Sequence, residues 1–187
     1  ISVAADVDNW GLSFGESGTQ PKGNATKEFL SKYDAYYVGD ENEKNVYLTF
    51  DAGYENGNTA TILDTLKEKN VPAAFFLVGN YIERNPDLVC RMVNEGHIVG
   101  NHTYSHIQLT SRNRETFREE LVQTNEILEE ITGEEISFVR PPYGSWDKSF
   151  EKELDMFPVL WNIDPLDWCS HNADCIASKV VEKAGDG

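Results

Sequence analysis

His102 and His106 stand four residues apart in GNHTYSH, and Asp51 follows the run Val46–Phe50 in YLTFDAGYENG. Imidazoles at that spacing share one face if Thr103–His106 opens a helix, and the pair can then meet on one metal ion. A carboxylate beside such an ion is a candidate general base: the metal polarises a water and the carboxylate takes its proton. Taken alone, Asp51 reads as a helix cap or loop turn, and the histidines as an exposed pair. Arg140 ends another apolar segment and is pinned by Pro141 and Pro142. A buried carboxylate needs a cationic partner, and Arg140 is the candidate to hold Asp51 ionised. WNIDPLDWCS gathers Trp161, Asp164, Asp167 and Trp168. Indole rings beside acids suit sugar stacking and hydroxyl binding, and they equally suit ordinary packing.

These residues need elements to place them. From Val46 onward, strand and helix signals alternate. The strand candidates are Val46–Phe50, read as a buried strand, Ala73–Val78, Ile98–Gly100, Ser137–Val139 and Val159–Ile163. The helix candidates are Thr59–Lys69, Pro86–Glu95, Arg114–Thr132 and Ser149–Leu154. In the third helix, Phe117, Leu121, Thr124, Leu128 and Ile131 recur at three and four, and Gly133 stops it. Repeated β–α units imply parallel strands with helices outside, an α/β sheet or barrel. Chemistry in such folds collects at the carboxyl ends of strands. Read in order, those ends carry Asp51, Gly79–Asn80, Asn101–His102, Arg140 with its prolines, and Asp164 with Asp167. Residues 1–45 are glycine-bearing and irregular, with a short helix candidate at Thr26–Lys32 and an aromatic group Tyr33, Tyr36 and Tyr37. They read as an arm over the later core.

The 187 residues suffice for one domain with a sizeable core. A net charge of −16 repels phosphate backbones, which argues against nucleic acid as partner. No run approaches the roughly 20 apolar residues of a transmembrane segment, and no leader is visible. Three cysteines make no disulfide framework: Cys90 falls in a helix pattern as a core residue, while Cys169 and Cys175 are spaced so that they could bridge.

The series TFD-x-G, NH-T-x-x-H, RPPYG and D-x-x-DW, from Val46 to Gly187, resembles the polysaccharide deacetylases of carbohydrate esterase family 4, the NodB-homology domain. NWG, KYDAYYVGD and YLTFDAGYENG resemble one branch more closely: the peptidoglycan N-acetylmuramic acid, or delta-lactam-biosynthetic, deacetylases of spore-forming bacteria. The resemblance implies a distorted (β/α)7 barrel over residues 46–187, with residues 1–45 packing on it. It implies hydrolysis of N-acetyl groups from peptidoglycan or a related N-acetylated glycan, assisted by a divalent metal, zinc by default. The protein would then act outside the cytoplasm, secreted or at the cell wall or spore. Asp51 matches the catalytic base, His102 and His106 the metal-ligand histidines, and Arg140 the arginine that orients the base. The Tyr143 backbone N–H matches the oxyanion donor. Asp167 and Trp168 match the pair that positions a catalytic-acid histidine.

Ala52 stands where the family usually has a third, acidic metal ligand. Its loss implies metal affinity weakened by at least on the order of 10–100-fold, unless water, Glu55 or Asn56 fills the position. The resemblance also implies strands beyond the fifth, and the catalytic-acid histidine, past Gly187; His171 does not sit in that motif. Rival readings follow, from other classes or for another sugar. One is a sugar-binding homologue with impaired chemistry, or a deacetylase of chitin-like N-acetylglucosamine oligomers. The other is a glycoside hydrolase using Asp51 and Asp164, which leaves the histidines unexplained.

Overall fold

The computed structural model describes residues 12–13, 15, 22–23, 45–147, 149–170 and 172–184. The chain divides into two units, Ile1–Asn9 with Tyr47–Pro158, and Trp10–Val46 with Val159–Gly187. The second contains an antiparallel pair, β1 (Leu12–Ser13) and β2 (Lys22–Gly23). The Thr26–Lys32 helix and the tyrosine group of the arm lie outside the described residues.

The first unit holds a parallel sheet in sequence order: β3 (Thr49–Ala52), β4 (Ala74–Leu77), β5 (Ile98–Asn101), β6 (Phe138–Val139) and β7 (Phe157–Pro158). Between the strands run α1 (Thr59–Lys69), α2 (Gly79–Arg84), α3 (Pro86–Asn94), α4 (Arg114–Thr132) and α5 (Ser149–Leu154). Sheet alternation sorts the side chains. Phe75 and Leu77 of β4 and Val99 of β5 join Leu63 and Leu66 of α1, Val89 and Met92 of α3, and Leu128 of α4 in one apolar cluster. Each such side chain contributes about 1.5–3 kcal/mol relative to exposure. A second cluster, Leu109, Phe117, Leu121, Val139, Phe150 and Met156, seats α4 and α5. Gly133 ends α4 at φ 71°, and Asn70 ends α1 at φ 54°, both left-handed caps.

Two strands differ from the sequence reading. Val46–Phe50 is not a buried strand: Val46 and Tyr47 are 60% and 70% exposed, and pairing starts at Thr49. The partner explains the shift. Pro72 has no N–H to donate, so the ladder begins where Ala74 N–H reaches the Leu48 carbonyl at 3.0 Å. Asp51 therefore sits inside the ladder, opposite Phe76, and not in the loop beyond it. The fifth strand is Phe157–Pro158, not Val159–Ile163, because β6 stops at Val139, ahead of the Pro141–Pro142 turn. Gly79–Asn80 do follow the second strand, as expected, and they also open α2. The second unit carries a helix the pattern missed, α6 (Ala173–Lys183), capped by the Asn172 side chain on the Cys175 N–H. All three cysteines are free, so Cys169 and Cys175 do not bridge, and Cys90 is only partly buried.

The start of α4 is tied to the start of α5 by Asp147. Its carboxylate accepts from Arg114 Nε at 2.8 Å, from the Ser149 N–H at 3.0 Å and from the Ser149 hydroxyl at 2.7 Å. Burial raises its pKa, but these donors together hold it below the ordinary 3.8. A depressed carboxylate stabilises the fold fully above its unfolded pKa, and the gain is lost as pH falls through the folded value. The parent should therefore exceed Asp147→Asn in denaturation midpoint at neutral pH. The gap should close below pH 3.8. A gap that stays constant as the pH falls well below 3.8 would mean the pair adds nothing through its charge.

Candidate active site

Asp51, His102 and Arg140 are all set by strand pairing. Asp51 is a β3 residue. The His102 N–H, one residue past β5, bonds the Leu77 carbonyl at 3.0 Å, and the Arg140 N–H, one past β6, bonds the Asn101 carbonyl at 2.9 Å. The ladder thus carries three residue types to one end of the sheet. Arg140 Nη1 donates to Asp51 Oδ1 at 2.7 Å and to the Thr49 hydroxyl at 2.8 Å. Its guanidinium lies over the Phe76 ring, 4.3 Å from the centroid. Gly100 makes that possible, since a Cβ there would meet the Phe76 ring at 2.8 Å. Burial pulls the Arg140 pKa down, against the Asp51 carboxylate, which raises it.

His102 is 4% exposed. Its Nδ1 lies 2.5 Å from the Arg140 carbonyl oxygen, which can only accept, so Nδ1 carries the proton. Nε2 is then the lone-pair nitrogen, 3.7 Å from Asp51 Oδ2. Burial lowers the His102 pKa more than the Asp51 carboxylate and the Arg140 carbonyl raise it, so the ring is neutral at neutral pH. The exposed His106 ring meets His102 edge-on at 4.8 Å between centroids and Tyr143 at 5.3 Å. The rings do meet, but no helix brings them together. The 102–109 segment is irregular, and Thr103 and His106 take φ of 62° and 60°. Tyr143, within the 3-10 turn Pro142–Gly144, has φ 58° and is 59% exposed. Non-glycine residues in this region mark sites that the surroundings over-determine.

A neutral imidazole with its second nitrogen fixed by a carbonyl is a proper donor for a late first-row divalent ion. His102 meets that description and His106 stands beside it, so the pair fits a metal. Among the described residues no group of three His, Cys, Asp or Glu could hold one. Ala52 packs on the apolar cluster, on the strand face opposite Asp51. Glu55 is no substitute ligand: it accepts from the Thr59 N–H at 3.4 Å, from the Gly57 N–H and from the Tyr81 hydroxyl, capping α1. Asn56 is bonded by Asn58 Nδ2 at 2.7 Å. His97, which leads into β5, accepts from the Ala73 N–H at the strand's opposite end and takes no part.

Asp167 and Trp168 form the 3-10 turn Asp167–Cys169 of the second unit, both exposed, with Trp168 at 76%. Asp164 accepts from the Leu166 N–H at 2.7 Å, a local turn bond. Two supporting residues escaped the sequence reading. Thr49 is two residues from Asp51, hence on the same strand face, and that alternation is a signal for it. Asn101 ends β5, and its anchoring role has no signal in the sequence. It is fully buried, donating to the Leu121 carbonyl at 2.8 Å and to Asn125 Oδ1 at 2.7 Å.

A parallel α/β sheet that gathers a carboxylate, its buried guanidinium and two imidazoles at its carboxyl end is the frame of one known class. The chain belongs to the polysaccharide deacetylase family, whose profile matches residues 38–159. It is 38% identical over 176 residues to the peptidoglycan-N-acetylmuramic acid deacetylase PdaA of Bacillus subtilis, covering 91% of this chain and 67% of that protein. It is 40% identical over 162 residues to the peptidoglycan-N-acetylglucosamine deacetylase of Bacillus cereus, covering 85% and 59%. The chain thus spans only about three fifths to two thirds of those two proteins. The solved structure of PdaA, a family 4 carbohydrate esterase, matches with a TM-score of 0.86 at 35% identity, over 98% of this chain and 82% of that one. A family 4 pseudoenzyme from Bacillus anthracis matches at 0.75 and 30% identity, over 81% and 55%. The fold is therefore that of the family 4 esterases, and deacetylases of this family are metalloenzymes.

Proposed function

We propose that the protein hydrolyses N-acetyl groups of a cell-wall glycan, with N-acetylmuramic acid of peptidoglycan as the preferred sugar. One observation carries the reading: a single carboxylate, Asp51, has one oxygen on the Arg140 guanidinium and the other facing His102 Nε2. In this reading Asp51 takes the proton of the attacking water, and Arg140 fixes the direction of its free oxygen. A divalent metal, zinc by default, held by His102 and His106 would supply Lewis acidity toward the acetamide oxygen. The Tyr143 backbone N–H donates to the developing oxyanion. Asp167 and Trp168 orient the acid that protonates the leaving amine. The products are acetate and a free amino sugar.

The names of PdaA and the B. cereus relative support a peptidoglycan substrate and hence action outside the cytoplasm, at the wall or spore. Among the described residues, no helix is long and apolar enough to cross a membrane. Muramic acid carries a lactyl carboxylate that needs a cation not already engaged by Asp51. Arg84, exposed at the end of α2, and Lys22 in β2 are candidates; Lys32 lies outside the described residues. The test is acetate release from muramic acid glycan and from chitin oligosaccharide, with and without chelator. Chelator-sensitive release, faster from the muramic glycan, is expected. Faster release from chitin oligosaccharide would overturn the choice of sugar alone, and release indifferent to chelator would overturn the metal reading.

Ala52 favours a second reading, a glycan-binding homologue with little turnover; a family 4 pseudoenzyme is among the similar structures. Ala52→Asp separates the two. An aspartate that leaves the apolar face at the end of β3 and turns to the histidines should raise zinc affinity about tenfold or more, and turnover with it. Because Ala52 packs on the apolar cluster, the metal-free variant should also be less stable by about 1–3 kcal/mol, the cost of burying an unpartnered polar group. Unchanged zinc affinity in a direct titration would remove this position from the metal site.

A further inference from the structure

We propose that Glu120, on α4, is a positioning residue that sets His106 against His102, acting through Ser105. The inference rests on the metal-site reading above. The segment joining the histidines has no regular structure and contains two non-glycine residues at positive φ, Thr103 and His106. Such a path persists only where its surroundings over-determine it, and the ties can be traced residue by residue. Thr103 is held at both backbone groups: its N–H donates to Asn101 Oδ1 at 2.8 Å, and its carbonyl accepts from the Gly79 N–H at 3.1 Å. Tyr104 fills the space a Gly79 side chain would take, since a Cβ there would lie 2.2 Å from its ring, and its hydroxyl donates to Glu83 at 3.0 Å.

Ser105 is the last tie before His106. Its N–H donates to Glu120 Oε2 at 2.9 Å and its hydroxyl to Glu120 Oε1 at 2.6 Å. One carboxylate thus grips the residue preceding the exposed imidazole with both oxygens, a charge-assisted fork. Nothing in the proposed chemistry uses Glu120 itself. It sits one residue before Leu121, whose carbonyl accepts from Asn101. The same turn of α4 therefore holds the histidine loop at its start and at its end.

The test uses protein labelled with 15N-histidine, first without metal and then titrated with zinc. In Glu120→Ala the His106 imidazole signals should shift and broaden while those of His97, at the far end of β5, stay put. Zinc affinity should fall about tenfold or more, the scale for groups that orient a ligand. Glu120→Gln should stay close to the parent, because its amide oxygen can take the Ser105 N–H and its NH2 can donate to the Ser105 hydroxyl. Ser105→Ala should show part of the Glu120→Ala change. His106 signals unmoved in Glu120→Ala would overturn the proposal. So would a Glu120→Gln spectrum matching Glu120→Ala, since the effect would then be charge and not tethering. A parent whose His106 signals ignore zinc would sink the metal reading, while the metal-free spectra would still decide the role of Glu120.

Discussion

Asp51→Asn is expected to lower acetate release by about 10²–10⁴-fold, the usual worth of a general base. The amide keeps the size of the carboxylate. Its oxygen can still accept from Arg140 Nη1, so the 2.7 Å contact and the link through Thr49 should survive. What is lost is the acceptor for the proton of water on the oxygen facing His102. The fall should therefore appear in kcat with little change in glycan binding. Zinc titration of the same variant checks that the histidine pair is undisturbed. A variant that retains half the parent activity would make Asp51 a structural residue of β3.

Arg140→Met should impair both turnover and stability. The methionine can keep the stem packed on Phe76, but Asp51 loses its counter-charge and the Thr49 bridge disappears. Stranding a partner of a buried pair costs about 3–5 kcal/mol. Here Asp51 is 39% exposed and can turn to water, so about 1–3 kcal/mol is the better figure. The activity loss should reach about 100-fold, because a base displaced by an ångström loses that much. Arg140→Lys should recover much of the stability but less of the rate, since an ammonium cannot reproduce the planar fork. Chemical denaturation and kcat on the same preparations measure the two effects. Full activity in Arg140→Met would show that the arginine only balances charge.

The helices were legible because their signals are local. Apolar residues at three and four, with Gly133 as the stop, give Arg114–Thr132 to the residue. The strands were less so. Val46 and Tyr47 have strand-like side chains but no partner in register, a fact settled by Pro72 more than twenty residues away. The types and positions of Asp51, His102, His106 and Arg140 could be read because their motifs are compact. Their geometry could not. Where Thr103–His106 could have opened a helix there is a loop, which follows Asn101 directly and whose shape depends on Gly79, Glu83 and Glu120, contributed by other elements. No periodicity in the seven residues of GNHTYSH encodes those distant anchors. The roles of Asp167 and Trp168 rest on the motif resemblance.

Gly100 shows how far the site's requirements extend into the scaffold. It lies in the middle of a strand, touches neither the carboxylate nor the imidazoles, and would pass for a weak point in β5. Yet the vacancy of its side chain admits the Phe76 ring, the ring is the floor beneath the Arg140 guanidinium, and the guanidinium aims Asp51. A methyl group added there would press on the floor and be felt two strands away at the Asp51 carboxylate. Substitution maps of this protein should therefore contain positions that behave as chemical by phenotype and structural by location, with glycine tolerated at such a position for its volume and not for its flexibility.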